Sequence, residues 1–248
     1  MSVIFILWLR QIKKYLRSKS RIVGAVGQPL LFLLALGYGL GSVYKAAGRG
    51  DYLQFLVPGI MAQTVLFSSM FYGAMIIFDR QFGFLKETMV APVSRLKIML
   101  GGALGGATTS VIQGVLVFII SLGLGFRPHN WGFALLALVF MSALAIGITS
   151  FSSGIGSFVQ DMQGFQAINQ FLVFPLYFLS GALYPLDHVP AWLRIIAEIN
   201  PISYTVDAMR WSMLGVSKFG IWHDCIALAL TLIVLITFGA IRFRHIEA

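Results

Sequence analysis

Six long stretches of this chain hold no Asp, Glu, Lys or Arg, and the charged residues crowd the gaps between them. The stretches cover 22–43, 53–78, 98–126, 131–159, 165–183 and 225–241. A helix crosses a bilayer core about 30 Å thick with about 20 apolar residues. The pattern therefore predicts six transmembrane helices. The first run is longer than a signal-peptide core and no cleavage site follows it, so it is read as a retained helix. Ahead of it, residues 1–21 set Phe5, Trp8, Leu9, Ile12 and Leu16 at helical spacing beside Lys13, Arg17 and other cations. That spacing predicts an interfacial helix with its apolar side chains toward lipid. A plain basic orientation anchor is the alternative.

Composition sharpens the class. Hydrophobic residues make up 58% and charged residues 11% of the 248, where a soluble domain carries about a quarter charged. The expected fold is all-α and integral to a membrane, one domain over 1–248 with no room for a large soluble unit. The single cysteine, Cys225, excludes an internal disulfide framework and a multi-cysteine metal site. His129, His188, His223 and His245 show no ligand spacing.

Charge sets the orientation. With six spans, Arg10, Lys13, Lys14, Arg17, Lys19, Arg21, Arg80, Lys86, Arg95, Lys97, Arg242 and Arg244 share one side. The other side holds half as many: Lys45, Arg49, Arg127, Arg194, Arg210 and Lys218. The basic side is cytoplasmic, so both termini are expected in the cytoplasm of a multi-pass cell-membrane protein. The net charge of +9 then reads as a topology signal and a match to anionic lipids. No basic run with interleaved exposed aromatics points to nucleic acid.

The charged island FDRQFGFLKETMVAPVSRLKIML, 78–100, separates the second and third runs, with its cytoplasmic part over 79–97. On a helix Phe82, Leu85 and Met89 share one face, while Lys86 and Glu87 lie off it. Pro92 stops that helix and Ser94 is placed to cap the next. Two readings stand: a rigid unit passing force between a cytoplasmic partner and two spans, or a helix lying on headgroups.

On the other side, residues 184–218 predict short half-buried helices. Pro190 can begin one, and Asn200–Pro201 breaks it and starts another. Asp207 and Arg210 stand at i and i+3, the spacing of an ion pair. Trp131, Trp192, Trp211 and Trp222 would form an outer aromatic belt. A loop resting on the interface is the alternative.

Within the runs the polar residues are uncharged. Gly101/Gly105, Gly102/Gly106 and Gly37/Gly41 form GxxxG pairs, which let helices approach closely. Gln63, Thr64, Thr109, Gln113, Thr149, Ser153, Asn169 and Gln170 either serve such packing or make a weakly polar translocation surface. No charge sits mid-span to relay ions. No GxxxxGK[ST] loop is present to hold ATP, and no Ser/His/Asp set or HExxH suggests a membrane enzyme. A non-catalytic chain without its own cofactor is expected. A channel or scaffold with no ATPase is the alternative of another class.

Two stretches carry a resemblance. Glu87 with APVSR, 91–95, resembles the coupling segment of ABC-2-type transporter permeases. Residues 178–211, with SGALYPL, PAWL and NPISY in order, resemble that family's region between spans 5 and 6. The hydropathy pattern extends the likeness over nearly the whole chain. The nearest subgroup is the drug- and antibiotic-export permeases of the daunorubicin-resistance type, with nodulation-factor and polysaccharide exporters as neighbours. The resemblance implies a permease subunit of an ATP-driven exporter. Two copies, or this chain and a similar one, would form the pathway, above two ATPase subunits that carry ATP and magnesium. Coupling would fall to Phe82, Leu85, Lys86, Glu87, Met89 and Arg95. Re-entrant helices would close an outer gate around Pro185, Trp192, Asn200, Pro201 and Tyr204. The implied cargo is a hydrophobic or amphipathic drug or antibiotic, with a polysaccharide, lipo-oligosaccharide or lipid as the alternative.

Overall fold

The computed structural model describes residues 3–48, 50–84, 93–244 and 246, and every regular element among them is helical. Helix α1 (Val3–Leu16) leads to α2 (Lys19–Phe32), which runs through a π-helical stretch at Leu33–Tyr38 toward α3 (Gly41–Ala46). Helices α4 (Tyr52–Gln81), α5 (Arg95–Gly123), α6 (Trp131–Ala134) and α7 (Leu136–Phe158) follow. Next come α8 (Met162–Ile168), a π stretch at Asn169–Val173, α9 (Phe174–Phe178) and a tight turn at Leu186–His188. The chain ends in α10 (Ala191–Ile199), α11 (Pro201–Leu214) and α12 (Ile221–Arg244).

Against the six expected spans, 4 helices among the described residues are long and apolar enough to cross a membrane: Tyr52–Gln81, Arg95–Gly123, Trp131–Phe158 and Ile221–Arg244. They are the second, third, fourth and sixth runs. The first and fifth runs are helical but interrupted by their π stretches. In the fifth, Pro175 has no amide for the carbonyl four residues back, and the turn just before it is widened.

Helix α4 is the centre of the bundle, with every residue from Leu56 to Leu66 buried. A helix apolar all round belongs there. Helix α12 rests on α7 and α11 and turns Trp222, Ile226, Leu230, Ile233 and Val234 outward. Small residues bring the helices together. A β-carbon at Gly73 of α4 would stand 2.4 Å from the Ser152 carbonyl oxygen of α7. There the Ser152 hydroxyl accepts from the Gly73 amide at 2.7 Å and donates to the Met70 carbonyl at 2.6 Å. One buried hydroxyl thus joins two helices with donor and acceptor both used.

The staggered GxxxG pairs of α5 serve opposite partners. Added β-carbons at Gly101 and Gly105 would meet Leu7 at 2.9 Å and Gln11 at 2.6 Å, both on α1. At Gly102 and Gly106 they would meet Tyr72 of α4 and, at 2.8 Å, Thr149 of α7. Gly37 packs on Leu53, whereas Gly41 meets nothing within 4 Å. Helix α1 is therefore seated in the groove of α5. Trp8, expected toward lipid, donates its indole N–H to the Thr108 hydroxyl at 3.0 Å. Phe5, Ile6 and Leu16 remain exposed.

Candidate functional site

A cavity of about 370 Å³ opens between α1, α2, α4 and α5. Helix α4 supplies Gln63, Thr64, Phe67, Ser68, Phe71 and Tyr72, a stripe at helical spacing. Gly106, Thr109 and Gln113 come from α5, Gln11 and Tyr15 from α1, and Gln28 from α2. The serine and threonine hydroxyls bond within their own helices. Thr64 donates to the Ile60 carbonyl at 2.8 Å, Ser68 to Thr64 at 2.7 Å and Thr109 to Gly106 at 2.8 Å. Gln63 differs. It is 2% exposed, yet neither its Oε1 nor its Nε2 has a partner among the described residues. Leaving a buried polar group unpaired costs about 1–3 kcal/mol.

Four of the residues proposed for a translocation surface, Gln63, Thr64, Thr109 and Gln113, meet in this cavity. Thr149 and Ser153 are buried in helix packing, with Ser153 donating to the Thr149 carbonyl at 2.7 Å. Asn169 and Gln170 open the second π stretch and are not among the lining residues. Sequence reasoning missed Gln11, Tyr15, Gln28, Phe67, Ser68, Phe71 and Tyr72. Gln28 carried the signal that singled out Gln63, an amide inside an apolar run. The aromatics carried none, because such rings fill every span.

At the basic ends of the helices two island cations hold their neighbours. Arg80, in the last turn of α4, donates from Nη1 to the Val159 carbonyl at 3.2 Å. Its Nη2 donates to the Gly156 and Ser157 carbonyls at 3.2 and 2.5 Å. A cation on the terminal carbonyls of α7 satisfies orphan acceptors and suits the helix dipole. Arg95 donates from Nη1 to the Arg244 carbonyl at 2.7 Å and so ties α5 to the end of α12. Ser94 occupies the N-cap position of α5, but its side chain makes no capping bond. Phe78, Phe82 and Phe84 are exposed. Leu85, Lys86, Glu87 and Met89, with the amphipathic helix expected over them and Pro92, lie outside the described residues.

At the opposite ends a second cavity, of about 560 Å³, is bounded by the start of α4, the 180–187 loop, α11 and the 216–219 loop. The expected Asp207–Arg210 ion pair is not formed. The buried Asp207 carboxylate accepts from the Ser217 hydroxyl at 2.9 Å and from the Lys218 and Phe219 amides at 2.7 and 2.9 Å. These donors orient the carboxylate toward the loop. Arg210 lies over the Phe55 ring, 3.9 Å from its centroid, and donates to the Gly181 carbonyl at 3.4 Å. Burial pulls the Arg210 pKa down to about 10, with Asp207 opposing it, so the cation persists at neutral pH. Lys218 pairs with Asp187.

Of the residues expected at an outer gate, Pro185 lines this cavity, whereas Trp192, Asn200, Pro201 and Tyr204 are not among its lining residues. Asn200 caps α11 by accepting from the Ile202 amide at 3.0 Å, and its Nδ2 donates to the Leu176 carbonyl of α9 at 2.5 Å. Pro201 occupies the first turn of α11. The Tyr204 hydroxyl donates to the Glu198 carbonyl at 2.5 Å. Pro185 leads into the Leu186–His188 turn, and Trp192 is exposed on α10. Trp131 and Trp222 are exposed as well, while Trp211 packs edge-on against Phe133.

The family profile for the ABC-2 type transporter matches residues 2–214. The chain is 32% identical over 252 residues to a protein named transport permease ycf38 from Cyanophora paradoxa, covering 97% of this chain and 86% of that one. It is 28% identical over 219 residues to the inner membrane transport permease YadH of Escherichia coli strain K12, covering 85% and 82%. To Nodulation protein J of Rhizobium leguminosarum bv. trifolii it is 27% identical over 198 residues, covering 79% and 75%.

Proposed function

The chain belongs to the ABC-2 type transporter family, and on that premise we propose that it is the permease subunit of an ATP-driven exporter. The observation that carries this reading is the reach of the family match. Residues 2–214 take in α1, every residue lining the inner cavity, the charged island and the α10–α11 segment. Apolar helices of spanning length and the similarity to an inner membrane permease support a multi-pass location in the cell membrane. In this reading the interrupted first and fifth runs also cross, making six spans, and both termini are cytoplasmic.

Energy comes from two copies of an ABC ATP-binding subunit that hold ATP and magnesium. A second copy of this chain, or a similar one, completes the pathway. The island couples them through Phe82, Leu85, Lys86, Glu87, Met89 and Arg95. The gate at the other end is built from Pro185, Trp192, Asn200, Pro201 and Tyr204. The cargo is hydrophobic or amphipathic, a drug or antibiotic in the first reading. A polysaccharide, lipo-oligosaccharide or lipid is the second, favoured by the uncharged lining of the inner cavity.

Co-expression with a phosphate-loop ATPase tests the assignment. Glu87→Arg, Phe82→Ala and Leu85→Ala are expected to insert normally, then lose ATPase co-purification or transport. Glu87→Arg would set a cation against a basic partner surface, where like charges cost several kcal/mol. The alanine variants would remove apolar anchors. Wild-type docking and transport in all three variants would remove the coupling role. Robust ATP hydrolysis by the pure, lone chain would remove the permease assignment.

A further inference from the structure

The outer cavity, between the start of α4, the 180–187 loop, α11 and the 216–219 loop, is lined by the carboxylates of Asp51, Asp187 and Asp207 and the cations Arg210 and Lys218. All but one of these charges are spent inside the protein. Asp51 caps α4, its side chain accepting from the Leu53 amide at 2.9 Å. Asp187 pairs with Lys218. Asp207 is held by the Ser217 hydroxyl and by the Lys218 and Phe219 amides. Arg210 stands one turn from Asp207 on α11, but those donors keep the carboxylate on the loop. The Lys218–Asp187 pair is the only salt bridge among the described residues.

A guanidinium carries five N–H donors. Arg210 spends one, on the Gly181 carbonyl at 3.4 Å, and its Nε is buried with no partner among the described residues. Arg80, by contrast, fills its fork with three carbonyls. Phe55 covers one face of the Arg210 guanidinium. Stacking on a ring leaves the edge of the group open, and the edge is the part that matches an oxyanion bidentately. Donors left unmade on a charged group are costly, and an oxyanion entering the cavity would meet them.

Depth in the membrane names the occupant. Trp131, Trp192 and Trp222 are exposed at this end of the bundle, and tryptophan collects at the headgroup level. Lipid phosphates are the abundant oxyanions there. Leu186, Leu214 and Val216 add apolar lining suited to a glycerol backbone and the carbons beyond it.

We propose that the outer cavity binds a phosphate group, presented by an anionic phospholipid headgroup or free in solution, with Arg210 as the residue that grips it bidentately. The site shares no lining residue with the inner cavity, and it does not depend on the permease reading.

The test uses the full chain in dodecyl maltoside with a local reporter. Cys225→Ser removes the native thiol, and Val216→Cys, exposed at the edge of the cavity, carries an environment-sensitive fluorophore. The basic face of α1, which also attracts phosphates, lies at the other end of the bundle and is not seen by this reporter. Emission is titrated at constant ionic strength with inorganic phosphate, dihexanoyl phosphatidylglycerol and uncharged dihexanoylglycerol. Saturable responses to the phosphates are expected, with the uncharged lipid at least about tenfold weaker than phosphatidylglycerol. Phosphatidylglycerol binding at least about tenfold tighter than inorganic phosphate assigns the site to the lipid, and comparable affinities assign it to free phosphate. Arg210→Gln is expected to weaken phosphate binding about tenfold or more, the effect of losing charged hydrogen bonds. Arg210→Lys keeps the charge without the fork and should lose about threefold. Arg194→Gln, exposed and outside the lining, should bind as wild type. No saturable response to either phosphate overturns the proposal, as does equal binding of the uncharged lipid. Wild-type binding by the Arg210 variants, or an equal loss in Arg194→Gln, overturns it too. Should Arg210→Gln fail to fold, wild-type binding by Arg210→Lys overturns it alone.

Discussion

Arg80 reaches across from α4 to close the carbonyl end of another helix, α7. Hydrogen bonds to a charged group contribute about 1.5–3 kcal/mol. Arg80→Gln is therefore expected to cost about 2–3 kcal/mol, read as a lower Tm of the solubilised chain. Arg80→Lys should fall between, since an ammonium cannot fork over several carbonyls as a guanidinium does. Asn200 has a similar double task, capping α11 and holding α9. Asn200→Ala should cost about 1–2 kcal/mol. Asn200→Asp keeps the cap acceptor but loses the donor to Leu176. Hydrogen exchange at the start of α11 should rise in the alanine variant and rise less in the aspartate variant.

Between helices, the glycines of α5 govern how α1 sits. A leucine at Gly105 would drive its side chain into Gln11 and the Trp8 backbone. Gly105→Leu is expected to lift α1 out of its groove while leaving α4 and α7 packed, because those helices use the other glycine pair. Trypsin added to the cytoplasmic face of inverted vesicles should then cut at Lys13 and Lys14 several-fold faster than in wild type. An unchanged rate would show that α1 stays seated by other contacts. Sequence alone did not give Trp8 its Thr108 partner, because helical spacing orders one face of α1 but not the glycine-grooved neighbour that packs beside it.

Across the whole molecule, orientation has a direct test. Cysteine labels at Lys14, Lys86 and Arg244 should be protected from an impermeant reagent in intact cells, and labels at Arg49, His129 and His188 should react. Reaction at Lys86 with protection at His188 would invert the arrangement and remove the island from any cytoplasmic ATPase. The helical membrane class and four of the six expected spans were legible along the chain, because hydropathy is a property of consecutive residues, and the family likeness was legible in short motifs. Thus α4, α5, α6–α7 and α12 stand where the second, third, fourth and sixth apolar runs lie. The inner cavity was legible only in fragments, since Gln11, Gln63 and Gln113 are far apart in sequence and meet because glycine contacts set the helix rotations. The arginine caps were not legible at all. Their acceptors are main-chain carbonyls, which every residue carries, so only the packing of α4 on α7 and of α5 beside α12 decided which carbonyls an arginine could reach.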